Sequence, residues 1–573
     1  MSSLIDRRGF VAACAAVGLP FDVSHRLWAE AAPGVAEGSA VALDPITKEQ
    51  ILAAENVLGL SWRDKDRDMM LRTLQQALTG AIALHAVPLP NTVPPAYHFD
   101  PVPVGKRAVG QPMSPPRVAK SVAAPKRPDT ESDWAYAGVA TLSRLIHSRA
   151  VTSRQLVERS LARIEQYTPE LLCVITATKE RALAQADRMD AEMKNGKFRG
   201  PLHGIPYGAK DLFAVPKYPT TWGSPIYKDQ VLDLTAAVVE RLDAAGAVLV
   251  AKTSLGEFAQ NDGWFGGQTK NPWNTSQGSS GSSAGSASGV AAGLYPFAIG
   301  TETQGSIISP ATRCGVSGLR PTYGRVSRYG AMALSWTMDK VGPIARSAED
   351  LALVFAAIHG ADPRDPSTRS MPFDFDPTTP LSQIRIGVTQ NLLTEPAADA
   401  NAQTTARYAT MKAVLNALSK QGAKFTAVSW PTEPPTNAMS CILNVEAGAA
   451  FAAITRDNTV DQVLIQAQWP NTFRAATFVS AVDYVLANRA RTLLIQKHDE
   501  FFKDIDVVVG GGNLAATNLS GHPQVVVPTV VDETANQAIS FVAALYREDL
   551  ALRLAHAWQT ASDIHLKRPP KFP

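Results

Sequence analysis

The chain has 573 residues, 45% hydrophobic and 19% charged, with a net charge of +3. That length supports a large core, and the charge fraction is that of a globular protein rather than a disordered one. A balance so near neutral argues against nucleic-acid binding, and no apolar run approaches the roughly 20 residues of a membrane span.

The N-terminus differs from the rest. Asp6-Arg7-Arg8-Gly9-Phe10-Val11, a weakly apolar run to Leu19, and Ala29-Glu30-Ala31 together read as a twin-arginine-type signal peptide over residues 1–31. Asp6 stands where Ser or Thr is usual, and the alternative is an amphipathic N-terminal helix on a cytoplasmic protein. A lipoprotein box at Cys14 is rejected, because it lies too close to the arginines, with no full apolar run ahead of it. Loss of the signal leaves Cys173, Cys314 and Cys441, which make neither a disulfide framework nor a Cys-x-x-Cys metal site. The expectation is a protein folded in the reducing cytoplasm and exported to the periplasm.

Residues 44–86 read as a helical hairpin. Thr47-Lys-Glu-Gln50 is a capping-box pattern and Ser61-Trp-Arg-Asp64 offers a second cap, while Met70, Leu74, Leu78 and Ile82 share one face. Dense prolines over 87–130, including Pro94-Pro95 and Pro115-Pro116, read as an extended linker; the alternative is a disordered spacer, and Val93, Tyr97, Phe99 and Val102 favour a docked segment. The main body spans 131–573. Thr152 caps a helix carrying Leu156, Leu161 and Ile164 on one side; a helix from about Asp233 to Ala245 precedes the strand Ala247–Ala251. Ile384–Val388 and Val507–Gly510 are further strands, and alternating helix and strand over this length implies an α/β/α layering with one large sheet.

Two serines stand out within 278–322. Ser282 and Ser306 each occupy a glycine-rich turn, in Gly-Ser-Ser-Gly-Ser282-Ser-Ala-Gly and in Gly300-Thr-Glu-Thr-Gln-Gly-Ser306-Ile-Ile-Ser-Pro, with a small-residue helix between them. Glycine lets backbone N–H groups approach a ligand, so a serine ending such a row has a nucleophile and an oxyanion site side by side. That pairing points to acyl transfer.

The stretch resembles the amidase signature family. The family pattern is Gly-Gly-Ser-Ser-Gly-Gly-Ser, a small-residue helix, Gly-Thr-Asp-x-Gly-Gly-Ser-Ile-Arg, and Cys-Gly-x-x-Gly-x-Lys-Pro-Thr. The last block is present as Cys314-Gly-Val-Ser-Gly-Leu-Arg-Pro-Thr322. Gly200-Pro-Leu-His-Gly-Ile-Pro-Tyr-Gly-Ala-Lys210-Asp resembles the family's lysine segment, and Ala515-Ala-Thr-Asn-Leu-Ser-Gly-His-Pro523 its late Asn-x-x-Gly-x-Pro element. Tyr323–Gly330 and Met338–Pro343 resemble the amidotransferase A-subunit branch in particular. The likeness runs from about 131 to 570, in separate blocks in the family's order, and implies a mixed, twisted sheet in one large α/β/α amidase-signature domain.

It also implies a Ser-Ser-Lys triad. Ser306 matches the nucleophile, Ser282 the bridging cis-peptide serine, and Lys210 the base, with the backbone N–H groups of Thr303, Gln304 and Gly305 lining the oxyanion hole. Lys210 must be neutral to accept a proton, and burial supplies the shift from its ordinary pKa of about 10.4. Taken singly these residues have plainer readings: an N-cap for Ser306, a turn residue for Ser282, a solvated surface lysine for Lys210. Trp264, Phe265 and Trp336 flank the motifs as candidate substrate-pocket aromatics. Four departures concern substrate type: Glu302 for Asp, Gln304 for Gly, Ile308 for Arg, and Ala284 for Gly.

Two decoys are set aside. Gly281-Ser-Ser283-Ala-Gly285 matches a nucleophile elbow but lacks the apolar strand before it. Gly510-Gly-Gly512 after Val507-Val-Val imitates a dinucleotide loop, but Asn518, Gly521 and Pro523 break the helix it needs. The ten histidines lack metal-ligand spacing, so no metal and no cofactor are expected. The expectation is an exported amidase of a small-molecule amide, monomeric or homodimeric, with no nucleic acid and no membrane association in mature form. The alternatives are an amidotransferase A-subunit-like protein, an esterase or carbamate hydrolase, and a non-catalytic binder on the same scaffold.

Overall fold

Short β-branched runs between helices bury both faces only when helices cover the sheet on each side. The structure is a computed structural model; it describes residues 44–87, 117–118, 127–397, 399–510, 513–534 and 536–573. The signal-peptide reading, and Val93, Tyr97, Phe99 and Val102, lie outside the described residues. Those described fall into two units, one drawn from the spans Met1–Phe99, Leu334–Thr337 and Thr432–His498, the other from Asp100–Ala333, Met338–Pro431 and Asp499–Pro573.

The second unit holds an eleven-stranded mixed sheet. Its strands are β1 (Val174–Ala177), β2 (Pro206–Lys210), β3 (Val248–Thr253), β4 (Phe297–Glu302), β5 (Ser317–Arg320), β6 (Lys340–Ala345), β7 (Ile386–Thr389), β8 (Phe425–Val428), β9 (Val507–Val509), β10 (Gln524–Val530) and β11 (Gln537–Ala543). They lie in the order β8-β7-β9-β11-β10-β5-β6-β4-β2-β3-β1. β2 runs parallel to both β3 and β4, whereas β6 closes on β4 antiparallel from Lys340↔Glu302 to Ala345↔Phe297. The α/β layering expected from the sequence is what forms. From the proline-rich segment, Arg117–Val118 pairs in parallel with Asp374–Phe375.

The first unit contains α1 (Lys48–Leu58) and α2 (Asp64–His85). Thr47 makes the capping box with Gln50, as its spacing predicts. The second predicted cap does not form: Arg63, not Ser61, is the N-cap of α2 and makes no side-chain cap bond. Its guanidinium is instead committed to Asp66 and Asp461, at 2.7 and 2.6 Å. Ile51, Trp62, Met70 and Leu74 form a small core with Ala475.

One boundary moved. The helix expected from Asp233 begins only at Ala237, because the N–H groups of Ala236 and Ala237 are taken by the carbonyls of Ala214 and Tyr329. Thr152 caps Ser153–Leu171 through a full capping box, and Leu156 and Ile164 are buried.

Candidate active site

β2 and β4, neighbouring and parallel, end together and present Lys210 and Thr301 at their C-terminal ends. Ligands in α/β sheets bind outside such ends. Between β3 and β4 the chain forms a cis peptide at Gly281–Ser282 and then α3 (Ala284–Ala291), every residue of which is buried. Small residues are required there: a Cβ on Gly285 would fall 2.1 Å from the Cys173 carbonyl oxygen, and one on Gly300 would fall 2.6 Å from Ser283 Oγ.

Lys210 is fully buried. Its Nζ donates to Ser282 Oγ at 2.8 Å, Thr301 Oγ1 at 2.8 Å and Ser283 Oγ at 3.2 Å. All are neutral oxygens, and among the described residues no carboxylate ion-pairs with it. Burial lowers its pKa to about 7, against the smaller upward pull of Asp339 and Glu302. Lys252, another buried lysine, is held differently: it ion-pairs with buried Asp211 at 2.6 Å and is bound by Pro219 and Thr220. Burial lowers its pKa too, with Asp211 opposing. Two buried lysines on adjacent strands thus differ in kind, one clamped to a carboxylate and one set against hydroxyls.

Ser306 is half-buried and follows the turn that leaves β4. Its carbonyl accepts the Ser283 N–H at 3.1 Å, which ties the Ser306 turn to the residue after Ser282. Gly305 has φ +105°, a conformation glycine accepts readily. Among the described residues, no acceptor within the protein takes the N–H groups of Thr303, Gln304 or Gly305. The turn is pinned from two sides. Thr303 Oγ1 donates to Asp339 Oδ1 at 2.6 Å, and Glu302 Oε2 accepts the N–H groups of Ile307 and Ile308 at 2.9 and 3.0 Å. The helix beyond, α4 (Ile308–Cys314), starts on that carboxylate.

The family model Amidase matches residues 155–553. The chain belongs to the amidase signature family. It is 31% identical over 487 residues to the glutamyl-tRNA(Gln) amidotransferase A subunit of Chloroflexus aggregans, covering 76% of this chain and 98% of that one. To its counterpart in Methylococcus capsulatus it is 32% identical, covering 75% and 98%. The native peptide amidase from Stenotrophomonas maltophilia has a similar structure, with TM-score 0.67, 30% identity, and coverage of 77% of this chain and 99% of that one.

Against the family pattern, the residues for which the sequence offered no role are Arg320, Asn518 and Asp339. Arg320 and Asn518 each donate to Glu302 Oε1 at 2.9 Å. Burial alone would raise the Glu302 pKa, but Arg320 and the N–H donors of Ile308, Asn518 and Ile307 outweigh it and keep the carboxyl ionised. Arg320, Asn518 and Asp339 all sit in blocks that resemble the family, so position was a signal; their convergence was not. The aromatics behave otherwise. Trp264 is buried, donates its indole N–H to the Leu172 carbonyl at 3.1 Å, and packs edge-on to half-buried Phe265. Trp336 belongs to the first unit and is 47% exposed. The elbow serine Ser283 has its hydroxyl engaged with Thr301 and Lys210. Gly511 and Gly512 lie outside the described residues, and the helix after them, α5 (Leu514–Ser520), ends at Gly521.

Proposed function

We propose that the chain hydrolyses a carboxylic amide through Lys210, Ser282 and Ser306. The observation that carries this reading is Lys210: fully buried, bonded only to neutral oxygens, and poised to be neutral near pH 7. A neutral amine bonded to the Ser282 hydroxyl accepts its proton, and Ser282 in turn takes the proton of Ser306. Ser306 Oγ attacks the amide carbonyl, and the N–H groups of Thr303, Gln304 and Gly305 stabilise the oxyanion. Each such donor is worth about 2.7–4 kcal/mol in the transition state. The proton returns through Ser282 to the departing amine; water then cleaves the acyl-enzyme by the same relay.

The test compares the wild type with Ser306→Ala on primary amides, anilides, peptide amides, carbamates and esters, with products read by mass spectrometry. Turnover by the wild type alone is expected, with amides preferred. Equal turnover by both proteins, or preference for esters or carbamates, refutes the reading.

A second reading is favoured by the curated relatives, which are amidotransferase A subunits by name. Under it the same triad would release ammonia for a partner protein, and the purified chain would be silent on the panel until partners are added. We also place the mature protein in the periplasm, on the Asp6-Arg7-Arg8-Gly-Phe-Val motif. Osmotic-shock fractionation with N-terminal sequencing checks this; an unprocessed cytoplasmic chain would refute it and strengthen the second reading.

A further inference from the structure

The side chain of Glu302 bonds back to the N–H groups of residues five and six positions later. It thereby closes a ring around Thr303, Gln304, Gly305 and Ser306. The carboxylate is held in place from outside the ring. Arg320 Nη1, at the end of β5, reaches Oε1 at 2.9 Å while its Nη2 donates to the His522 carbonyl at 2.8 Å, and Asn518 of α5 donates at 2.9 Å. Glu302, Arg320 and Asn518 are all fully buried. The pattern this stretch resembles carries an Arg at position 308 as well as a Lys where Arg320 stands. Here Ile308 is apolar and packs into the core under α3, and the acid is one methylene longer.

We propose that Glu302 and Arg320 are positioning residues whose ion pair sets the Thr303–Ser306 ring. The proposal rests on Ser306 being the nucleophile. The Glu302 carboxylate accepts four donors, although the buried Arg320 Nε–H has no partner; removal of either member of the pair leaves a buried charge that must move or find water. The ring then loses the template that aims its N–H groups.

The experiment uses the full chain and an alkyl fluorophosphonate, which reports Ser306 reactivity without knowledge of the substrate. Labelling rate, its pH midpoint and the melting temperature are measured together, with the labelled peptide identified by mass. Arg320→Met and Glu302→Gln should label at least tenfold more slowly per folded molecule, and Arg320→Lys should retain most of the rate. Glu302→Gln should also move the pH midpoint down, because the carboxylate raises the Lys210 pKa. Wild-type rates in folded Arg320→Met, or Arg320→Lys as slow as Arg320→Met, overturn the proposal. Should Arg320→Met fail to fold, Asn518→Leu decides: it removes one donor to Glu302 and should slow labelling at least threefold near the wild-type melting temperature, an unchanged rate counting against the proposal. Absence of labelling at Ser306 in the wild type would overturn the nucleophile assignment itself, and the proposal with it.

Discussion

Lys210 carries the strongest consequence at the scale of single residues. Its folded pKa, about 7, lies below the ordinary value of 10.5. Below pH 7 the folded protein must bury a charged ammonium, and this cost falls as the pH rises from 7 towards 10.5. Stability contributed at this position therefore increases with pH. Lys210→Met removes the cost, so its effect on unfolding free energy should be more favourable at pH 6 than at pH 9 by about 2–3 kcal/mol, at about 1.36 kcal/mol per unit. Urea titrations at both pH values check this, and equal effects at both would contradict a neutral lysine. For catalysis the sign is the same: kcat/KM should rise with pH about a midpoint near 7, because only the neutral amine accepts the Ser282 proton. Lys252 supplies the contrast, since its Asp211 partner stabilises charge where the partners of Lys210 do not.

At the scale of elements, α3 decides how closely the two serine turns approach. The helix touches backbone on two sides: the Gly285 N–H donates to the Ser254 carbonyl at 2.9 Å, and the Ser254 N–H in turn donates to the Cys173 carbonyl at 3.0 Å. A methyl group on Gly285 meets backbone atoms at 2.1 and 2.5 Å, which no side-chain rotation relieves. Gly285→Ala should cost about 1–3 kcal/mol or more by overpacking, and should slow Ser306 labelling because the helix carries Ser282 and Ser283 at its head. Gly263→Ala, where a methyl group meets nothing within 4 Å, is the matched control and should melt like the wild type. Equal melting of the two variants would refute the wedge argument. The same closeness explains why an all-buried helix can be built from residues with little apolar surface: contact density stabilises it, each atom facing a neighbour rather than water.

At the scale of the whole molecule, the unit holding α1 and α2 is organised by charge as much as by apolar packing. Asp66, fully buried on α2, takes Arg63 at 2.7 Å and buried Arg474 at 3.4 Å; Arg474 and Arg63 both reach Asp461, at 2.8 and 2.6 Å. Arg63, the largest influence, holds the Asp461 carboxyl well below the usual carboxylate range. Arg63 and Asp461 lie 398 residues apart in sequence, so the hairpin is fastened to the 461–474 region. Asp66→Ala takes a fully buried carboxylate from Arg63 and Arg474, leaving them only Asp461, and should cost about 1–3 kcal/mol. Asp64→Ala, at a site 74% exposed, should change stability by less than about 0.5 kcal/mol. Denaturant unfolding distinguishes them, and similar values for the two would show that the network is not buried in solution.

The sequence by itself determined the fold class and the family. Glycine-rich turns, capping boxes and short apolar strands are local signals, each written within a few residues, and their order along the chain is specific to one architecture. Thr47, Thr152 and the alternation of helix with strand were legible for that reason. So were the candidates Lys210, Ser282 and Ser306, each inside a recognisable block. The tertiary structure alone decided what those residues face. Burial and partner identity arise from elements far apart in sequence, so nothing local shows that Lys210 faces hydroxyls while Lys252 faces Asp211, or that Arg320 and Asn518 converge on Glu302. The Ser61 cap was misplaced for the same reason: only the tertiary structure shows that Arg63, the residue at the helix start, pairs with distant Asp461. The aromatic candidates fared likewise, since only the packing shows that the Trp264 indole is committed to the Leu172 carbonyl.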